Sequence, residues 1–174
     1  GLGIHETNGA IVFEPAVRPS GPYAALRAGC PAVNMTVPGD PSSAAFMVGA
    51  AILAAGGELA IENVGVNPTR TGFLVVLERM GAHVERVNLR DAGGEPVADL
   101  IARPAALTAT EVTAAEIPTL VDEVPVLAVL ASRARGSTVF REVGELRVKE
   151  SNRLELIASN LRAVGVKAEA QGND

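Results

Sequence analysis

The segment Glu145-Leu146-Arg147-Val148-Lys149-Glu150-Ser151-Asn152-Arg153-Leu154 carries five charged side chains in ten residues. It joins an apolar strand pattern ending near Val143 to an amphipathic helix pattern running to Val164. A solvated helix face would spread such charges over many turns, whereas Lys149, Glu150 and Arg153 fall at one strand-to-helix junction. A helix start favours anions through its free N–H groups. Lys149 adds a point charge, and Arg153 a two-pronged grip on a planar anion. Glu150 is a poor neighbour for an anion unless it handles a proton. Glu150 and Arg153 stand three apart, which on a helix puts them on one face. The plain alternative is a surface ion pair worth about 0.3–0.5 kcal/mol beside a solvated lysine.

Asp122 is the second candidate. It opens the most hydrophobic helix pattern of the chain, in Asp122-Glu123-Val124-Pro125. Asp is favoured as an N-cap, and a carboxylate at the rim of a buried helix is also suited to act as a base. A cap can line a cleft, so the two roles are compatible. Asp40-Pro41-Ser42-Ser43 is a third helix start and reads as plain capping, because no basic residue adjoins it. Asn67, Thr69 and Arg70 stand where a repeat of the chain puts the counterpart of the charged junction, as a vestige of it or as structure. His5, His83 and Cys30 read as structural or exposed. There is no Walker loop, Gly-rich dinucleotide fingerprint or nucleophile elbow.

Positioning such residues requires a core, and 174 residues suffice for one domain or two small ones. Hydrophobic residues make up 48% but aromatics only 3%, so the core is built from Ala, Val, Leu and Ile. A net charge of −5 argues against a nucleic-acid binder with a basic surface. One cysteine allows neither an internal disulfide nor a thiolate zinc site. No apolar run reaches membrane-spanning length and no secretory signal is visible, which gives the expectation of a cytoplasmic protein. The start at Gly1 and the polar end suggest a piece of something longer.

The chain repeats. Gly57–Gly65 aligns with Gly136–Gly144, 79 positions later, and each segment follows an Ala-rich apolar run. Two units are expected, roughly 1–81 and 82–165, followed by the start of a further strand. Strands are expected at 3–6, 10–13 and 34–37, around Leu59 and Ile61, and at 82–87, 97–102 and 137–141, with a Pro- and Gly-rich loop over 15–31. Helices are expected from Asp40-Pro41 to Gly56-Gly57, from Asn67-Pro68 to Gly81, over 122–135, and from the charged junction to Val164. The 122–135 run is apolar almost all round, hence buried. The expected class is α/β, with buried helices and sheets outside.

Val37-Pro38-Gly39-Asp40-Pro41-Ser42-Ser43-Ala44-Ala45-Phe46, Asn67-Pro68-Thr69-Arg70-Thr71-Gly72, Met80-Gly81-Ala82, Glu95-Pro96-Val97-Ala98-Asp99, Val121-Asp122-Glu123-Val124-Pro125 and the charged junction occur together and in order. In these motifs the chain resembles the 5-enolpyruvylshikimate-3-phosphate (EPSP) synthase family over essentially its whole length. The resemblance implies the enolpyruvyl transferase fold, lobes of repeated βαβαββ units with parallel helices inside. This chain would be a partial domain, most of the C-terminal lobe. The implied reaction moves the enolpyruvyl group of phosphoenolpyruvate to the 5-hydroxyl of shikimate 3-phosphate, releasing phosphate, with no metal or organic cofactor. Asp122 matches the acid/base residue near that hydroxyl, and Glu150 the residue that protonates the methylene carbon. Lys149 and Glu145 match shikimate 3-phosphate contacts, and Arg153 a phosphoenolpyruvate contact. Asn152 stands where the family usually has Asp. The family's N-terminal lobe supplies further cations and a serine pair that cannot be assigned here, so the piece alone is expected to be inactive. The alternatives are a relative of the UDP-N-acetylglucosamine enolpyruvyl transferase and a non-catalytic isolated lobe.

Overall fold

The computed structural model describes residues 2–7, 10–15 and 36–172. The chain divides into two compact units, Gly1–Met35 and Thr36–Asp174. In the first, β1 (Leu2–Thr7) and β2 (Ala10–Pro15) pair antiparallel, with Ile4 opposite Phe13. The expected 15–31 loop begins at Pro15, which instead ends β2; its other residues and the side chains of His5 and Cys30 lie outside the described residues.

The second unit starts from a short parallel bridge between Gly39 and Val64. The strand expected over 34–37 does not include Thr36 or Val37, and its earlier residues lie outside the described part. Helix α1 (Pro41–Leu53) follows. Asp40 caps it, accepting from Ser43 N at 2.9 Å and Ser43 Oγ at 2.8 Å. Pro41, with no N–H to lose, suits the first turn. The Ala-rich face of α1 is buried, and Gly49 lets α3 (Val124–Ala131) approach closely. A Cβ at Gly49 would stand 2.9 Å from Val126 Cγ2.

Strands β3 (Leu59–Gly65), β4 (Glu85–Ala92) and β5 (Glu95–Ala102) form an antiparallel sheet in the order β3-β5-β4. The fourth to sixth strand expectations are met in kind, although β4 begins later than expected and runs on to the Gly93-Gly94 turn. Register shifts fall at Asn63 and Asn88, both left-handed (φ 59° and 53°). Asp99 ties both irregularities together, accepting from Asn63 N and Asn88 Nδ2, each at 2.8 Å. Val97, Ala98, Leu100 and Ala102 of β5 are wholly buried.

The expected helix at Asn67-Pro68 is divided. A 3-10 turn over Pro68–Arg70 comes first, and α2 (Gly72–Arg79) only afterwards. Leu74, Leu77 and Met80 are buried on one face, and Gly81 ends the run with φ 92°.

The 122–135 helix is shorter than expected. Val121–Glu123 is a 3-10 turn and α3 spans only Val124–Ala131. Its end is claimed by strand-like pairing: Arg135 N donates to Leu107 O, and Ala109 N to Arg135 O. Arg133 and Arg135 therefore lie beyond the helix. Leu127 and Leu130 are fully buried and only Val129 faces out. The strand expected over 137–141 is β7 (Val139–Phe140), paired parallel with β6 (Glu111–Val112), a strand not anticipated from sequence.

The charged junction does not open the last helix directly. A 3-10 turn (Gly144–Arg147) leads into irregular backbone, and α4 (Arg153–Ala163) begins only after five intervening residues, Val148 to Asn152. Asn152 caps α4 through Glu155 N at 3.2 Å. Leu154 and Ala158 are buried, while Val164 is exposed. Among the described residues no helix is long and apolar enough to cross a membrane.

Candidate active site

All five residues singled out by sequence meet in one network of charge. Lys149 Nζ lies 3.0 Å from Glu145 Oε1 and 3.7 Å from Asp122 Oδ1. Arg153 reaches the same Asp122 oxygen with Nη1 at 3.4 Å and Glu150 Oε2 with Nη2 at 2.5 Å. Asp122 thus sits between the two cations, brought to them across about thirty residues by the contact of α3 with α4.

Two local readings are corrected. Asp122 caps nothing: it lies inside the 3-10 turn, and Glu123 holds the cap position of α3 without a side-chain cap bond. The carboxylate of Asp122 is therefore turned to Lys149 and Arg153 rather than spent on backbone. Glu150 is not on a helix either, so its pairing with Arg153 comes from the turn before α4, not from a shared helical face.

The two cations are the most sheltered members, with side chains 26% (Lys149) and 32% (Arg153) exposed, against 77% for Glu150. The hydrogen bond with Glu145 raises Lys149 above the ordinary lysine value, with Asp122 assisting against desolvation and Arg153. Lys149 is firmly cationic at neutral pH. Its own backbone N–H, then Arg153, holds Glu150 below the ordinary glutamate value, so Glu150 rests as a carboxylate.

Sequence reading missed a second network beside the first. Arg70 Nη2 donates to Asp40 Oδ1 at 3.1 Å and to Ser42 Oγ at 3.0 Å. The Ser42 hydroxyl in turn donates to Glu123 Oε1. The expectation that no basic residue adjoins Asp40 fails because Arg70 arrives from thirty positions away. The repeat held the clue: Arg70 and Lys149 are 79 positions apart, and each pairs with an acid at the start of a helix, Asp40 and Asp122 respectively. Nothing in the local sequence marks Glu123 as buried.

Glu123 is 3% exposed, and burial raises its pKa, with the Asp122 charge adding to this against the Ser42 hydrogen bond and Arg70. The ionised form is penalised in the fold. Stability tied to this group is complete below the unfolded value, about 4.3, and is lost as pH rises through the raised folded value. Glu123→Gln, which does not titrate, should gain in melting temperature relative to the parent as pH goes from about 4 to 8. Thermal unfolding followed by circular dichroism across that range checks this, and a gap constant with pH would contradict it.

His83 is exposed, with Nδ1 2.7 Å from Glu78 Oε2, away from both networks. Among the described residues no group of three His, Cys, Asp or Glu could hold a metal ion.

Helices packed with antiparallel and parallel strands, and two neighbouring networks of acids and cations, make this an α/β protein with a concentrated charged patch. Residues 25–174 match the family model of EPSP synthase (3-phosphoshikimate 1-carboxyvinyltransferase), and the chain belongs to that family. It is 51% identical over 161 residues to a 3-phosphoshikimate 1-carboxyvinyltransferase of Synechococcus sp. (strain RCC307), covering 91% of this chain and 37% of the relative. A protein of the same name from Acidiphilium cryptum is 50% identical over 141 residues, covering 81% of this chain and 32% of the relative. The solved EPSP synthase of Acinetobacter baumannii superposes with a TM-score of 0.74 at 32% identity, over 100% of this chain and 39% of that one. The chain therefore spans about a third of the length of the proteins it matches.

Proposed function

We propose that this chain carries part of the active site of a 3-phosphoshikimate 1-carboxyvinyltransferase. The observation that carries the reading is the convergence of Asp122, Lys149, Arg153, Glu145 and Glu150 in a chain of this family. Lys149, steadied by Glu145, would hold shikimate 3-phosphate, and Arg153 would grip phosphoenolpyruvate. Asp122 would take the proton of the 5-hydroxyl as its oxygen bonds to the enol carbon. Glu150 would give a proton to the methylene carbon. Loss of a proton from that carbon with departure of phosphate then restores the enol.

Glu150 must gain a proton before it can give one. An anionic substrate that draws Arg153 away removes one of the interactions keeping Glu150 ionised, and exclusion of water would raise it further. This chain alone does not enclose Glu150, which suits a site completed by an N-terminal lobe of the same enzyme. The repeat units, roughly 1–81 and 82–165, belong to the same reading. Phosphorylated substrates do not cross membranes unaided, which favours the cytoplasm.

Phosphate release from the two substrates should stay at background with this chain alone. Calorimetric titration with shikimate 3-phosphate should show saturable heat that Lys149→Ala removes. Turnover that Glu150→Ala abolishes would refute the incompleteness of the site. Absence of any affinity would favour a non-catalytic lobe.

A further inference from the structure

Among the described residues Glu123 is the one charged side chain in the core. A buried carboxyl is costly, and an apolar residue of similar volume would serve packing better. Its position gives no capping bond in return. What it does hold is the Ser42 hydroxyl, and through it the Arg70 guanidinium, which also grips Asp40. Three segments remote in sequence are joined there: the first turn of α1, the turn Pro68–Arg70 and the turn Val121–Glu123.

Asp122 and Glu123 are consecutive in one tight turn, the first directed to Lys149 and Arg153, the second into the core. In so short a turn the anchoring of one side chain sets the direction of the other. We propose that Glu123 is a positioning residue for the Asp122 site, its hydrogen bond with Ser42 locking the turn Val121–Glu123 against α1 so that Asp122 is presented to Lys149 and Arg153. This rests on the proposed role of Asp122 only for its catalytic meaning. The charged groups facing Glu123 are Asp122 on its own turn and Arg70 across from it.

The test follows the Asp122 carboxyl carbon and the Arg70 and Arg153 guanidinium protons by nuclear magnetic resonance at pH 7, on this chain. Ser42→Ala, at a half-buried position, removes the anchor without opening the core. It should shift the Asp122 carboxyl signal and cost the Arg70 and Arg153 protons their protection from exchange. Glu123→Ala should do the same, and the double variant no more than the larger single one. Glu123→Gln, which still accepts from Ser42, should stay close to the parent. Asp122 and Arg153 signals unmoved in Ser42→Ala would overturn the proposal, as would a Glu123→Gln variant as perturbed as Glu123→Ala. No turnover or substrate is needed, so a failure of substrate binding would count against the proposed function and leave this result standing.

Discussion

On the proposed function, Arg153→Ala is expected to weaken phosphoenolpyruvate binding about 10- to 100-fold, the loss of one or two charge-assisted hydrogen bonds. The five-residue network has two cations and three carboxylates, a formal charge of −1. Without Arg153 it falls to −2, and both Asp122 and Glu150 lose a partner, so local repulsion adds to the missing grip. Folding should change little, because the pairs are substantially exposed and such pairs contribute about 0–1 kcal/mol. Phosphorus resonance titrations of the ligand, which reach millimolar affinities, measure the effect. An affinity within twofold of the parent, in a variant that still folds, would remove Arg153 from the anion site.

Gly72→Ala is expected to destabilise the fold by about 3 kcal/mol. Gly72 opens α2 against the turn Ile117–Thr119. A Cβ there would overlap Thr119 Oγ1 and stand 2.9 Å from Thr119 Cβ and 3.1 Å from its carbonyl oxygen. Thr119 cannot simply swing aside, because its hydroxyl donates to Glu116 O at 2.8 Å. Part of the obstacle is backbone, so relief requires moving one turn away from the other. Urea unfolding should show the loss, and Thr119→Ala in the same chain should restore roughly half of it by removing the hydroxyl. Full stability in Gly72→Ala would mean that the two turns are looser than their geometry indicates.

Much of this fold is written locally. The Asp40 cap, the Pro41 start and the stop at Gly81 depend on backbone chemistry within a few residues, and Gly81 does adopt a φ of 92°. The buried faces of α1 and α2 follow from spacing alone. The failures share a different character. Asp122 looks like a cap because Asp usually is one, but Leu120 and the 3-10 turn after it move the cap position to Glu123. Strand β6 is two residues long and exists only because Val139 and Phe140 lie beside it, so no periodicity could mark it. The helix start at the charged junction slips to Arg153 because Asn152, not Lys149 or Glu150, caps the first turn, accepting from Glu155 N.

The chain by itself determined the inventory of the candidate site: the acids, the lysine and the arginine, in two short motifs at Asp122 and at Glu145–Arg153. Residue type and spacing carry this, since caps, stops and short motifs act over a few residues. Only the tertiary structure decided which of them meet. Arg70 reaches Asp40, Asp122 lies between Lys149 and Arg153, and Glu123 turns inward to Ser42. Those pairings span 27 to 81 positions, and their geometry is set by how closely α1, α3 and α4 pack, which no local pattern encodes.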